Sequence, residues 1–159
     1  MNFRKLEVND LSLIRELELN NKSEFYSSSS DETWFNILFK KDSINLGIFI
    51  NDELVGYSSA FILKRSKYKK FFTEIFNVDE KNTLFLNNTL ISKKHRGNKY
   101  QYLLRQKTLE FFKGNNYITT VSTDNIYSIN NMKKINMKII YKGLAPYSEQ
   151  LKYFFLGEK

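Results

Sequence analysis

The residues with the clearest capacity for chemistry lie between Lys93 and Gln101. Lys93, Lys94, Arg96 and Lys99 come together there with His95 and Gly97, and no acid interrupts them. A basic turn that opens a helix is an anion site by construction, because unpaired backbone N–H groups, the helix dipole and the side-chain charge act in one direction. A solvated basic loop in a basic protein is the other reading of the same residues. Further on, Asp124 and Asn125 can cap a short helix that runs through Ser128, Ile129 and Met132.

Two elements must position the basic turn. Before it, Leu84, Phe85, Leu86, Leu90 and Ile91 form a run apolar enough for a buried strand. After it, the spacing predicts a helix from near Tyr100. Tyr100, Leu103, Leu104, Thr108, Phe111 and Phe112 fall on one side, and Arg105, Gln106, Glu110 and Lys113 mostly outside that face. Gly114 and Asn115, which accept a left-handed backbone, are expected to stop it.

Composition narrows the class. The 159 residues suffice for one domain with a proper core, and 42% are hydrophobic, which argues against disorder. No apolar run reaches the length of a membrane span and the start reads as no signal peptide, so a soluble, cytoplasmic protein without a membrane partner is expected. Cysteine is absent, which excludes disulfides, thiolate metal sites and a cysteine nucleophile. With His95 as the single histidine, a multi-histidine metal site is excluded, and no metal is expected. The charge of +8 invites a nucleic-acid reading, but the excess is spread widely, in a chain heavy in Lys, Asn and Ile.

In chain order, Phe3 to Leu6 reads as a short strand, and Asn9 as the N-cap of a helix with Leu11, Ile14 and Leu17 at three-residue spacing. Ser27 to Ser30 is a polar loop; Asp31 then opens a helix with Trp34, Ile37 and Leu38 on one side. Ile44 to Ile50 and Leu54 to Leu63 are strands joined at Asn51-Asp52-Glu53, with Gly56 marking a bulge or a close backbone approach. From Lys64 to Lys81, basic residues interleave with aromatics; they could clasp nucleic acid, or form a short helix that buries the aromatics and exposes the lysines. Ile118 to Ser122, Met137 to Tyr141 and Leu151 to Phe155 are further strands, with a turn at Gly143 to Pro146. The order is strand, two helices, three strands, helix, strand, helix and two strands, an α/β class with a largely central sheet.

This order, together with two local motifs, resembles the GNAT superfamily of N-acetyltransferases over nearly the whole chain. The first motif is the family's Arg/Gln-x-x-Gly-x-Gly/Ala turn after the fourth strand. Arg96 and the common Gly97 are present, while the two motif glycines fall on Lys99 and Gln101. The second is a strand followed by Asn-x-x-Ala/Ser and a short helix: Asn125, Ser128 and Ile129 match, and Asn136 and Met137 stand where Gly and Phe are usual. The resemblance implies a single GNAT-like domain over residues 1–159. Its mixed central sheet would have about six to seven strands, flanked by about four helices.

The resemblance further implies acetyl-CoA as co-substrate and a primary amine of a small molecule or peptide as acceptor, in a monomer or homodimer. The backbone of Arg96, Gly97, Asn98, Lys99, Tyr100 and Gln101 would receive the pyrophosphate. Leu90, Ile91 and Ser92 would lie along the pantetheine arm, paired like an added strand, with Asn125 and Ser128 near its other side. The family's usual proton carriers are a carboxylate on the fourth strand and a tyrosine in the helix after the fifth. Here no Asp or Glu lies between Thr83 and Ser92, and the tyrosine position falls on Met132. Water held by Asn87, Asn88 or Thr89, and Tyr127 as a displaced acid, are the catalytic candidates. The alternative is a catalytically weak or inactive acyl-CoA-binding module, or a nucleic-acid-binding regulatory one. His95, beside Arg96, belongs nearer the phosphates than the thioester.

Overall fold

The computed structural model describes residues 1–159. Its strands are β1 (Asn2–Lys5), β2 (Ile44–Ile50), β3 (Glu53–Ile62), β4 (Thr83–Ile91), β5 (Asn116–Ser122), β6 (Lys138–Leu144) and β7 (Leu151–Glu158). Its helices are α1 (Leu11–Asn20), α2 (Asp31–Thr33, continued by a π-helical turn over Trp34–Leu38), α3 (Lys69–Phe76), α4 (Tyr100–Phe111) and α5 (Ile126–Lys134). Seven strands make one mixed sheet in the order β1-β2-β3-β4-β5-β7-β6. The seven strands and five helices agree with the expected α/β class of six to seven strands and about four helices; α3, between β3 and β4, falls in the Lys64 to Lys81 segment, for which a short helix is one of the two readings. No helix is long and apolar enough to cross a membrane.

The chain divides into two compact units, one of Met1–Phe61 with Asn87–Phe112, the other of Ile62–Leu86 with Lys113–Lys159. In the first, Ile14 of α1, Trp34 and Leu38 of α2, Ile48, Tyr57 and Leu104 are buried. The β2–β3 hairpin turns at Asn51 and Asp52, both with positive φ (49° and 63°), the backbone that Asn and Asp tolerate best after glycine. The register of β2 on β3 slips after Ile48, so that Ile48 faces Gly56 while Phe49 faces Leu54. Both expectations for Gly56 hold, since a Cβ there would come within 2.6 Å of Ile91 Cδ1 and 3.1 Å of the Leu90 carbonyl. Gly56→Ala is expected to push β4 away at Leu90 and Ile91 and to cost about 1–3 kcal/mol, read as a lowered denaturation midpoint.

In the second unit, Phe72 stacks at 5.2–6.3 Å on Phe76, Phe85 and Phe154. Phe72 and Phe76 are buried while Lys69 and Lys70 stay exposed. The Lys64 to Lys81 segment therefore packs as the helix that puts its aromatics inside. β4 pairs in parallel with β5 over Thr83–Phe85, opposite Asn116–Ile118, and the Thr119 hydroxyl donates to the Leu86 carbonyl at 2.8 Å.

Three local expectations are corrected. Asp10, not Asn9, precedes α1; its carboxylate accepts the Glu7 N–H at 2.8 Å and ion-pairs Arg4 at 2.7 Å. The residues read as a turn from Gly143 begin inside β6, which pairs with β7 through Leu144. α4 ends at Phe111, because Phe112 turns extended (φ −80°, ψ 130°). That backbone carries the Phe112 ring into the core and leaves Phe111 exposed, and Gly114 has no positive φ.

Candidate functional site

The basic turn leaves β4 through Ser92, whose main chain is committed in both directions. Its N–H donates to the Val55 carbonyl at 2.8 Å and its carbonyl accepts the His95 N–H at 2.9 Å. Lys93 N–H donates to Asn21 Oδ1 at 2.7 Å, while Asn21 Nδ2 donates to the Leu17 carbonyl at 2.7 Å, which ties the turn to the end of α1. Lys93, Lys94, Arg96, Gly97, Asn98 and Lys99 are all exposed. Arg96 Nε reaches back to the Ile91 carbonyl at 3.4 Å, and Asn98 Nδ2 donates to the His95 carbonyl at 3.0 Å. Both contacts brace the turn against itself.

Two residues take the left-handed backbone that this turn needs. Gly97 has φ 86°, with open space where a Cβ would stand, and Lys99 has φ 62°. Lys99 stands where the resembled pattern has glycine, and its φ lies in the left-handed region that glycine adopts most readily. Lys99 is also the N-cap of α4, and no side chain caps it. The first-turn N–H groups, beginning with those of Tyr100 and Gln101, thus lie at an uncapped helix terminus surrounded by cations, with no acid in the first turn.

The catalytic candidates on β4 divide. Asn87 Nδ2 donates to Ser29 Oγ (3.2 Å) and Ser59 Oγ (3.1 Å), and Asn88 Nδ2 donates to the Ser27 carbonyl (2.9 Å) and Ser29 Oγ (3.3 Å). Their amide nitrogens therefore clasp the serine loop onto the strand. Thr89 Oγ1 is buried with no protein partner, as is His95 Nδ1. Asn125, Tyr127 and Ser128 lie in the other unit. Asn125 Oδ1 accepts the Ser128 N–H at 3.1 Å as the cap of α5, and Tyr127 is exposed in its first turn.

Two features escape the sequence reading. Glu18, on α1, is buried; its Oε1 accepts the Tyr26 hydroxyl (2.5 Å) and the Tyr57 hydroxyl (2.7 Å), and Oε2 pairs with Arg15 (2.6 Å). The two phenols also lie within hydrogen-bonding reach of each other. Burial first, then the Glu18 hydrogen bond, raises Tyr26 far above the usual tyrosine range; burial, with the neighbouring Tyr26 and Glu18, does the same for Tyr57. The signal for Glu18 is its place four residues after Ile14, on the stripe that faces the core. Arg105 is the second feature. Expected outside the apolar face of its helix, it is 4% exposed, because it follows Leu104 and precedes Thr108 on the side that packs inward. No group of three or more His, Cys, Asp or Glu is placed to hold a metal ion.

The family model described as Acetyltransferase (GNAT) family matches residues 11–137. The chain belongs to the GNAT acetyltransferase family. Among solved structures its fold is similar to that of NAA60 from Arabidopsis thaliana in complex with acetyl-CoA, at TM-score 0.73 and 14% identity over 99% of this chain and 97% of that one. The ribosomal-protein-S18-alanine N-acetyltransferase from Escherichia coli aligns at TM-score 0.74 and 10% identity, over 99% and 92% of the two chains. Aminoglycoside acetyltransferase AAC(6')-Ib, in complex with coenzyme A and kanamycin, aligns at TM-score 0.71 and 12% identity, over 99% and 94%. No curated protein matches the sequence.

Proposed function

We propose that this GNAT protein transfers an acyl group, acetyl in the simplest case, from its CoA thioester directly to a primary amine of a small molecule or peptide. The observation that carries this reading is the acid-free turn Lys93–Lys99 running into the uncapped N-terminus of α4. Backbone N–H groups from Gly97 to Gln101 hold the pyrophosphate, and Arg96 and Lys99 add charge. Leu90 and Ile91 present main-chain groups to the pantetheine arm, and Ser92, engaged at both main-chain atoms, anchors that end of the strand. Asn125 and Ser128 keep the roles that the family resemblance implies, and Tyr127 stays the candidate for a displaced acid.

When bound, the coenzyme supplies a thioester carbonyl open to attack by an unprotonated amine. On this chain's side, the free Thr89 hydroxyl suits the task of holding a water that takes the amine proton, since it is buried and spends no bond on the protein. Asn87 and Asn88 set the serine loop that borders the strand, and so position rather than carry protons. Relatives of this fold act on acceptors as different as a ribosomal-protein alanine and, by its bound kanamycin, an aminoglycoside. The acceptor class here is therefore an amine.

Saturating acetyl-CoA, at about 100 times its Kd, is expected to raise the melting temperature by about 5 to 10 °C, with CoA following and ATP not. No shift with acetyl-CoA would overturn the reading. A shift without thiol release from acetyl-CoA across a panel of amines would favour the non-catalytic binding module, which the lack of an acid between Thr83 and Ser92 supports.

A further inference from the structure

Arg105 lies in the second turn of α4 with its guanidinium inside the first unit. Nε and Nη1 have no hydrogen-bond partner, and Nη2 reaches only the Asn87 carbonyl of β4, at a long 3.4 Å. Burial lowers its pKa to about 9, which leaves it ionised at pH 7. A buried charge with no counter-ion is strongly unfavourable, and a fold retains one where an anion arrives to meet it. The pyrophosphate does not serve. It belongs at the N-terminus of α4, and Arg105 follows Lys99 by about 9 Å of helix rise.

The two faces of β3 show from which side an anion comes. Tyr57 and Ser59 face α1 and the serine loop, where Tyr57 meets Glu18 and Ser59 accepts from the Asn87 amide. Ser58 faces the other way and meets Thr108 of α4 at 2.9 Å. Arg105, three residues before Thr108 on the same helix, therefore approaches β4 from the face opposite the serine loop and touches the main chain of Asn87 rather than its amide. That is the face of the helix whose first turn holds the donor phosphates in the reading above. An acetyl group is neutral and would leave the guanidinium uncompensated; an acyl group ending in a carboxylate neutralises it and accepts its free N–H bonds.

We propose that Arg105 is a specificity-determining residue that receives a carboxylate on the acyl chain, so that CoA thioesters of short dicarboxylic acids are preferred over acetyl-CoA. This rests on the acyl-CoA reading of the basic turn. The transfer is otherwise unchanged: the amine nitrogen bonds to the acyl carbon, the carbon–sulfur bond breaks, and the amine proton ends on the departing thiolate. The distal carboxylate takes no part in bond making.

Calorimetric titration of the whole chain with CoA, acetyl-CoA, malonyl-CoA and succinyl-CoA tests this. At least one dicarboxylic thioester is expected to bind about 10-fold or more tightly than acetyl-CoA, as one charge-assisted contact implies. Arg105→Met should abolish that preference and leave the Kd for acetyl-CoA within about two-fold. It should also fold at least as well, because it removes a buried unpaired charge and keeps an unbranched apolar stem in its place. Arg105→Lys, which keeps the charge but not the fork, should retain part of the preference. Acetyl-CoA binding as tightly as both dicarboxylic thioesters, or an undiminished preference in Arg105→Met, would overturn the assignment. So would stabilisation of the parent by formate or chloride alone with no advantage for a dicarboxylic thioester. Failure of every CoA species to bind would instead remove the acyl-CoA reading on which the assignment stands.

Discussion

Glu18→Ala is expected to lower stability by about 3 kcal/mol, seen as a fall of about 6 to 12 °C in melting temperature. The carboxylate is the common acceptor of two buried phenols and the partner of Arg15. Alanine removes it and leaves the phenols with only each other, while Arg15 falls back on Asp31 at 2.5 Å. Glu18→Gln keeps an acceptor for the phenols and loses only the charge, so it should cost clearly less. If alanine and glutamine cost the same, charge rather than hydrogen bonding holds the cluster. The same cluster sets an alkaline limit. Tyr26 and Tyr57 are raised above their unfolded value of about 10, so the folded chain holds protons that the unfolded chain releases. The stability they contribute is complete below about pH 10 and is lost as pH rises above it. Melting curves taken from pH 8 to 11 should fall steeply only beyond 10, and phenolate absorbance should show buried tyrosines ionising only as the chain unfolds.

Charge reversal in the basic turn should have the largest effect on ligand binding. Arg96→Glu is expected to weaken acetyl-CoA binding about 10- to 100-fold, the loss of one charge-assisted contact with added repulsion, and to leave the fold intact because Arg96 is exposed. Lys99 separates backbone from charge. With φ 62° it holds a conformation that costs a side-chain-bearing residue about 1 kcal/mol, so Lys99→Gly should stabilise the protein by about that amount. If the backbone N–H groups supply most of the pyrophosphate affinity, Lys99→Gly should lose less than about five-fold in binding, whereas Lys99→Glu should lose considerably more. Equal affinity for all four proteins, measured at low and at physiological salt, would remove the anion site from this turn.

Much of the fold and part of the site can be read from neighbouring residues alone. The β2–β3 hairpin announces itself through Asn51-Asp52, the strand before the basic turn through its apolar run, and the cap of α5 through Asn125 and Ser128, because turn chemistry and periodicity act over a few residues. The acid-free run from Lys93 to Lys99 is visible in the same way, and so is the glycine pattern that Lys99 interrupts. Helical spacing placed Arg105 outside its apolar face. The fold puts it inside, since a long side chain beside a buried leucine takes whichever surroundings the opposite strand provides, here the Asn87 carbonyl. Glu18 meets Tyr57 across 39 residues, and Asn87 meets Ser29 across 58. The sequence by itself determined most of the elements, the class they belong to and the acid-free basic turn between β4 and α4. Which polar groups are buried together, which are already spent and which remain unpaired was decided only when distant segments closed on one another, because burial and hydrogen bonding belong to pairs of elements and not to either one alone.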